Sequence, residues 1–144
     1  MCALNTTILL VEDNKAQKMV CERILQRAGF SVLCAMDGDA AVTAAREKHP
    51  DIILLDMLLP KMSGVQVLQS LQQEGTTARI PVIVLSALPQ ANEAKLRALG
   101  AVAYFVKSRL FESKNGESEL LELLQRTARE TREQNTATPD QQIV

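Results

Sequence analysis

The run Asp51-Ile52-Ile53-Leu54-Leu55-Asp56 constrains the fold more than any other stretch of the chain. Its aliphatic residues do not alternate with polar ones, so both faces of the segment must be covered. A short run of that kind, bounded by charged residues, reads as a strand inside a parallel sheet. Asp56 then places a carboxylate where a buried strand runs out, and such a charge is costly unless something pairs with it. A tight connection, Met57 to Gly64, follows.

Other apolar runs share this design. Ile8-Leu9-Leu10-Val11 ends in Glu12-Asp13-Asn14, Ile80 to Leu85 ends in Ser86, and Ala101 to Val106 ends in Lys107. Phe30 to Ala35 is a weaker strand whose Ser31 and Cys34 suit an edge. Between these runs lie helical patterns. Asn14 is placed to cap a helix over about 15–28, in which Ala16, Val20, Ile24 and Ala28 share a face and which Gly29 ends. Asp39 is placed to cap an alanine-rich helix over about 40–48, closed by Pro50. Val65, Leu68 and Leu71 mark a third helix, and Pro89-Gln90 opens a fourth that ends at Leu99-Gly100. The stretch from Ser108 to Glu117 reads as a long polar loop in which Leu110 and Phe111 cover the sheet edge, the alternative being a partner or dimer contact. A last helix is expected over about 118–129, with Leu120, Leu121, Leu124 and Ala128 inward.

Five uninterrupted strand-then-helix units give an α/β fold, a doubly wound parallel sheet with helices on both faces and right-handed crossovers. Ligands bind such sheets beyond the C-terminal strand ends, where strand order reverses. Glu12, Asp13, Asp56, Ser86 and Lys107 all stand at those ends. The division expected is an N-terminal extension over 1–5, one domain over 6–130, and a polar, disordered C-terminal tail over 131–144. Nothing after Arg129 has the pattern of a DNA-binding or enzymatic output unit.

Composition excludes other classes. A chain of 144 residues and net charge −1 gives no bulk electrostatic reason to bind nucleic acid. It holds no apolar run of membrane-spanning length and no basic-then-apolar leader. Cys2, Cys21 and Cys34 are widely spaced and odd in number, which speaks against a disulfide framework and for a reducing, cytoplasmic setting. His49, the only histidine, reads as an exposed residue at a helix C-terminus, not as a catalytic base.

Three crowded carboxylates repel one another, and their titrations couple. A hard dication relieves that conflict, and an all-oxygen donor set suits Mg²⁺. Lys107 and the Ser86 hydroxyl can each hold a phosphate oxygen. A carboxylate can attack phosphorus to form an acyl phosphate.

The segments ILLVEDN, PDIILLDMLLPKMSG, IPVIVLSA and GAVAYFVK, in this order, resemble the response-regulator receiver domain of two-component signalling, over roughly residues 6 to 130. That resemblance implies a flavodoxin-like (βα)5 sheet of order 2-1-3-4-5, with Asp56 as phosphoacceptor. It implies Mg²⁺ held by Asp13, Asp56 and the Leu58 backbone carbonyl, with Glu12 acting through water. Ser86 and Lys107 would contact the phosphoryl group, and Tyr104 would move when Ser86 is drawn toward it. The partners implied are a histidine kinase or phosphotransfer protein and a downstream protein target, with a homodimer as a further option, and neither nucleic acid nor membrane. The chain would act as a phosphorylated switch and not as an enzyme with its own output. The alternative is a pseudo-receiver used for assembly with little or no phosphorylation.

This sequence departs from the family pattern in three places. Ser108 stands where proline usually follows the lysine, so the Lys107–Ser108 bond is expected to be trans, since a cis bond before a non-proline residue costs about 3 kcal/mol. The acidic residues that many DNA-binding members carry for dimer salt bridges are replaced by Gly100-Ala101-Val102-Ala103. Leu58 and Leu88 lie two residues after Asp56 and Ser86 and cannot orient a water by hydrogen bonding. Slow self-dephosphorylation is therefore expected.

Overall fold

The structure is a computed structural model that describes residues 6–57, 59, 62–87, 93–112 and 114–143, with only the backbone described at 114 and 132–143. Five strands alternate with helices: β1 (Thr7–Val11), α1 (Lys15–Arg27), β2 (Ser31–Ala35), α2 (Gly38–Lys48), β3 (Ile52–Asp56), α3 (Gly64–Gln73), β4 (Val82–Ser86), α4 (Glu93–Ala98), β5 (Ala101–Val106), α5 (Ser108–Glu112) and α6 (Lys114–Ile143). The strands form one parallel sheet of order β2-β1-β3-β4-β5, the order the resemblance implies.

Strand parity divides the core into two layers. Ile8, Leu10, Ile52, Leu54, Ile83, Leu85 and Phe105 pack against Ile24 and Leu25 of α1, Leu110 of α5, and Leu120 and Leu124 of α6. Leu9, Val11, Ile53, Leu55, Val82 and Val84 pack against Ala41 and Ala45 of α2, Val67, Leu68 and Leu71 of α3, and Leu96 of α4. Every residue of β3 is buried, as its unbroken apolar run requires, whereas β2 at the edge is largely open. Among the described residues no helix is long and apolar enough to cross a membrane.

Helix starts follow local chemistry. The Asn14 side chain accepts from the Gln17 N–H, and Ser63 and Gln66 cap each other reciprocally at the start of α3. The cap of α2 is Asp37, not Asp39: its carboxylate accepts from the Ala40 N–H, and α2 begins at Gly38. Asp39 falls inside the first turn, where its charge still suits the helix dipole.

The expected 108–117 loop is corrected most. Residues 108–112 form α5, and α6 begins at Lys114 instead of near Ser118. Leu110 anchors α5 by burial in the core, and the Arg109 guanidinium grips the Glu119 carboxylate with two hydrogen bonds. Tertiary packing thus overrides a locally polar, glycine-containing sequence. Of the two apolar residues expected to cover the sheet edge, only Leu110 does so, and Phe111 is 42% exposed. At its far end α6 extends to Ile143, and residues 130–138 contain neither glycine nor proline to stop it at Arg129. Among the described residues no peptide bond is cis, so Lys107–Ser108 is trans as expected.

Candidate functional site

Because all five strands run parallel, their C-terminal ends form one rim. β1 runs into Glu12 and Asp13, β3 ends in Asp56, β4 ends in Ser86, and β5 hands over directly to Lys107. Backbone bonds fix the spacing: the Lys107 N–H donates to the Ser86 carbonyl at 2.7 Å, and the Met57 N–H donates to the Leu85 carbonyl at 3.3 Å. Parity then decides which side chains meet. Glu12, Asp56 and Lys107 continue the alternation of Leu10, Leu54 and Phe105 and project on the α1 side. Ser86 shares parity with Val84, on the side where Tyr104 packs.

The result is a buried charge cluster. Glu12, Asp56, Ser86 and Lys107 are all buried, while Asp13 is exposed. The Lys107 ammonium donates to Asp56 Oδ2 at 3.0 Å and lies 2.5 Å from Glu12 Oε1. The Glu12 contact satisfies charge but not hydrogen-bond geometry, and Oε1 has no hydrogen-bond partner among the described residues. The other Glu12 oxygen accepts from the Asn14 N–H at 3.2 Å. Burial pushes the Glu12 carboxyl above the usual carboxylate range, against the opposing pull of Lys107 and the Asn14 N–H. Burial acts to lower the Lys107 ammonium, but the attraction of Glu12 and Asp56 outweighs this, and its net shift is upward. Lys107 is therefore held charged.

One carboxylate oxygen each from Glu12, Asp13 and Asp56 gather within 4.8 Å of one another. With Lys107 the four groups sum to −2 (three carboxylates, one ammonium). The excess negative charge, the all-oxygen donors and the unsatisfied buried Oε1 of Glu12 fit a hard dication. Asp13, being exposed, leaves room on the solvent side for the waters that Mg²⁺ tends to keep. The Leu58 carbonyl, expected as a further ligand, lies outside the described residues, as does Leu88.

Tyr104 stands on β5 opposite Val84 and is partly buried against the α2–α4 layer, on the same side of the sheet as Ser86. His49 closes α2 in a left-handed conformation at the opposite end of β3 from Asp56, and takes no part in the rim. The described cysteines, Cys21 and Cys34, are free thiols. A feature missed by sequence reasoning is a cleft of about 340 Å³ beside Lys107, lined also by Gln17, Ala87, Ser108, Phe111 and Glu112. Only the apolar Phe111 in a polar stretch hinted at it. Gln17 looks like any solvated helix residue until the fold brings α1 to the rim.

Comparison with known proteins agrees with this geometry. Residues 8–113 match the response regulator receiver domain family. Probable transcriptional regulator ycf27 of Cyanophora paradoxa is 36% identical over 125 residues, covering 86% of this chain and 50% of that protein. The chain thus spans about half the length of that relative. Polar-differentiation response regulator DivK of Brucella ovis is 31% identical over 105 residues, covering 72% of this chain and 85% of DivK. Among solved structures, the receiver domain of sensor histidine kinase PA1611 from Pseudomonas aeruginosa PAO1 is similar with a TM-score of 0.75 and 31% identity, covering 85% of this chain and 97% of that one. That structure has a magnesium ion coordinated in its active-site cleft. Chemotaxis response regulator CheY4 of Vibrio cholerae is similar with a TM-score of 0.73 and 27% identity, covering 85% of this chain and 98% of that one.

Proposed function

The chain belongs to the response-regulator receiver family, and on that premise we propose that it is a phosphoacceptor switch in which Asp56 takes a phosphoryl group from a histidine kinase or phosphotransfer protein. The observation that carries this reading is the buried Lys107 ammonium bonded to Asp56 at a rim that also gathers Glu12 and Asp13. Residues 6–130 are taken as the receiver unit, and the cytoplasm as its place of action.

The chemistry follows from the groups present. An Asp56 carboxylate oxygen attacks the donor phosphorus, the bond from phosphorus to the donor nitrogen breaks, and the leaving imidazole keeps that electron pair and takes up a proton. Lys107, already charged, moves its hydrogen bond from the carboxylate to a phosphoryl oxygen and offsets the incoming negative charge. The Ser86 hydroxyl, next along the rim, donates to another phosphoryl oxygen. Asp13 and Asp56, with Glu12 through water and the Leu58 carbonyl, would hold Mg²⁺, which when bound neutralises charge on the transferring group. Drawing Ser86 toward the phosphoryl group opens space on the side where Tyr104 packs, and the surface formed by α4 and β5 shifts in population, to be read by a protein target. The leucines expected at 58 and 88 supply no hydrogen bond to an attacking water, which favours a long-lived phosphorylated state.

Incubation with acetyl phosphate and Mg²⁺, followed by intact mass measurement, tests the reading. Addition of one phosphoryl group is expected, dependent on Mg²⁺ and absent in Asp56→Asn. An unchanged mass under conditions that load another receiver domain would favour the assembly-module alternative.

A further inference from the structure

At the opposite end of the sheet from Asp56, three arginines from three separate segments line one cavity of about 280 Å³. Arg79 precedes β4, Arg97 lies on α4 and Arg126 on α6. The wall between them mixes the apolar Ile80, Ala103 and Leu123 with the hydroxyls of Thr127 and Thr131. Glu130 is the one acidic lining residue, and Glu93 pairs with Arg97 from outside the lining, so the arginines exceed these acids by one (three arginines less two glutamates) on a chain whose net charge is −1.

One of these guanidinium groups is locked in position. The β4–β5 register passes from Val82↔Ala101 to Ile83↔Ala103, so Val102 is an extra residue on β5 and forms a bulge. Its carbonyl accepts from Arg97 Nη1 at 2.9 Å, while Glu93 accepts from Arg97 Nε at 2.9 Å. Arg79 and Arg126 make no ion pair among the described residues. Positive groups gathered round one cavity, with one acid too few to match them, are stabilised by an anion between them.

We propose that this cleft binds a small phosphate monoester with an apolar or aromatic body. Guanidinium forks match phosphate oxygens two at a time, which a lysine cluster would not do. Ile80, Ala103 and Leu123 give the body of the ligand an apolar stretch of wall. The volume of about 280 Å³ lies just below the roughly 300–1,000 Å³ range of small-molecule pockets, which suits a small molecule and not a polypeptide segment. The site is separate from the acceptor rim and does not depend on phosphorylation of Asp56.

The probe is adenosine monophosphate, titrated into the full chain in the presence of EDTA and followed by amide chemical shifts, with adenosine, inorganic phosphate and sulfate as comparisons. Adenosine monophosphate is expected to bind at least about tenfold more tightly than adenosine or either free anion, since head and body both contribute. The Arg79→Gln/Arg126→Gln double variant, both of whose sites are exposed, is expected to lose about tenfold or more in affinity. Arg126→Lys, which keeps the charge but not the fork, should lose most of the same effect, and Asp56→Asn should bind as wild type. Equal affinity for the ester and the free anions, unaltered binding in the double variant, or loss of binding in Asp56→Asn would each overturn the proposal.

Discussion

Removing the Lys107 ammonium would leave Glu12 and Asp56 facing each other in a buried site with no counter-charge. Breaking a buried pair in this way costs about 3–5 kcal/mol, so Lys107→Met should lower the urea midpoint strongly. Adding Glu12→Gln should recover a large part of that loss, because the repulsion then disappears. If the double variant were no more stable than the single, the Glu12–Lys107 contact would not be electrostatic in effect. Cys21 offers a second test at this scale. Burial first, and the Glu12 charge second, push its thiol from an ordinary 9.0 up to about 11. The unfolded chain then ionises this thiol from about pH 9, while the folded chain keeps it neutral to about pH 11. Stability from this group is therefore whole below pH 9 and is lost as pH rises, by at most about 3 kcal/mol. Unfolding free energies between about pH 9 and pH 11 should fall more steeply for wild type than for Cys21→Val. The rim residues were legible in the sequence because each follows an apolar run. The Glu12–Lys107 contact was not, because it depends on strand parity and on β1 and β5 converging across the rim. Crowded acids suggested a metal, and the structure adds that lysine already shares the task.

Elements were legible where hydrophobic period and capping agreed. Asn14 before α1, the unbroken run of β3, and Ser63 with Gln66 at α3 are cases in which local chemistry and tertiary placement coincide. Reading failed where a tertiary contact supplied what the local sequence lacked. Helix α5 is five residues long and would not form alone. It is held by Leu110 in the core and by the Arg109–Glu119 pair to α6. Gly116, which suggested a loop, instead permits close approach: a Cβ there would overlap the Arg109 carbonyl oxygen. Gly116→Ala should therefore destabilise the protein by about 1–3 kcal/mol through overpacking, although alanine is the better helix former. Thermal unfolding reads this directly, and a stabilised variant would show that α5 and α6 are less tightly apposed than described. Since α5 begins one residue after Lys107, hydrogen exchange in α5 should be the first to respond when Lys107 changes partner.

On the scale of the whole molecule, parallel topology makes the site. It places every strand's C-terminus on one rim, so that an acid pair, a third carboxylate, a hydroxyl and an ammonium from four distant segments come together. Alternation of strands and helices made that topology legible. What alternation alone did not reveal is the other end of the sheet, where the bulge at Val102 and three arginines form a second, basic cavity. The excess negative charge at the rim also makes the fold sensitive to cations. Millimolar Mg²⁺ should raise the melting temperature, by the equivalent of about 2.7 kcal/mol at a hundredfold excess over Kd. Asp13→Asn should largely abolish that rise, and an equal rise in the variant would exclude Asp13 as a ligand. Formation of the proposed acyl phosphate on Asp56 can be read by reducing the loaded protein with borohydride, which converts an aspartyl phosphate to homoserine, and sequencing its peptides. Homoserine is expected at position 56. An unreduced Asp56 in protein that has gained a phosphoryl group, or homoserine at any other position, would contradict it.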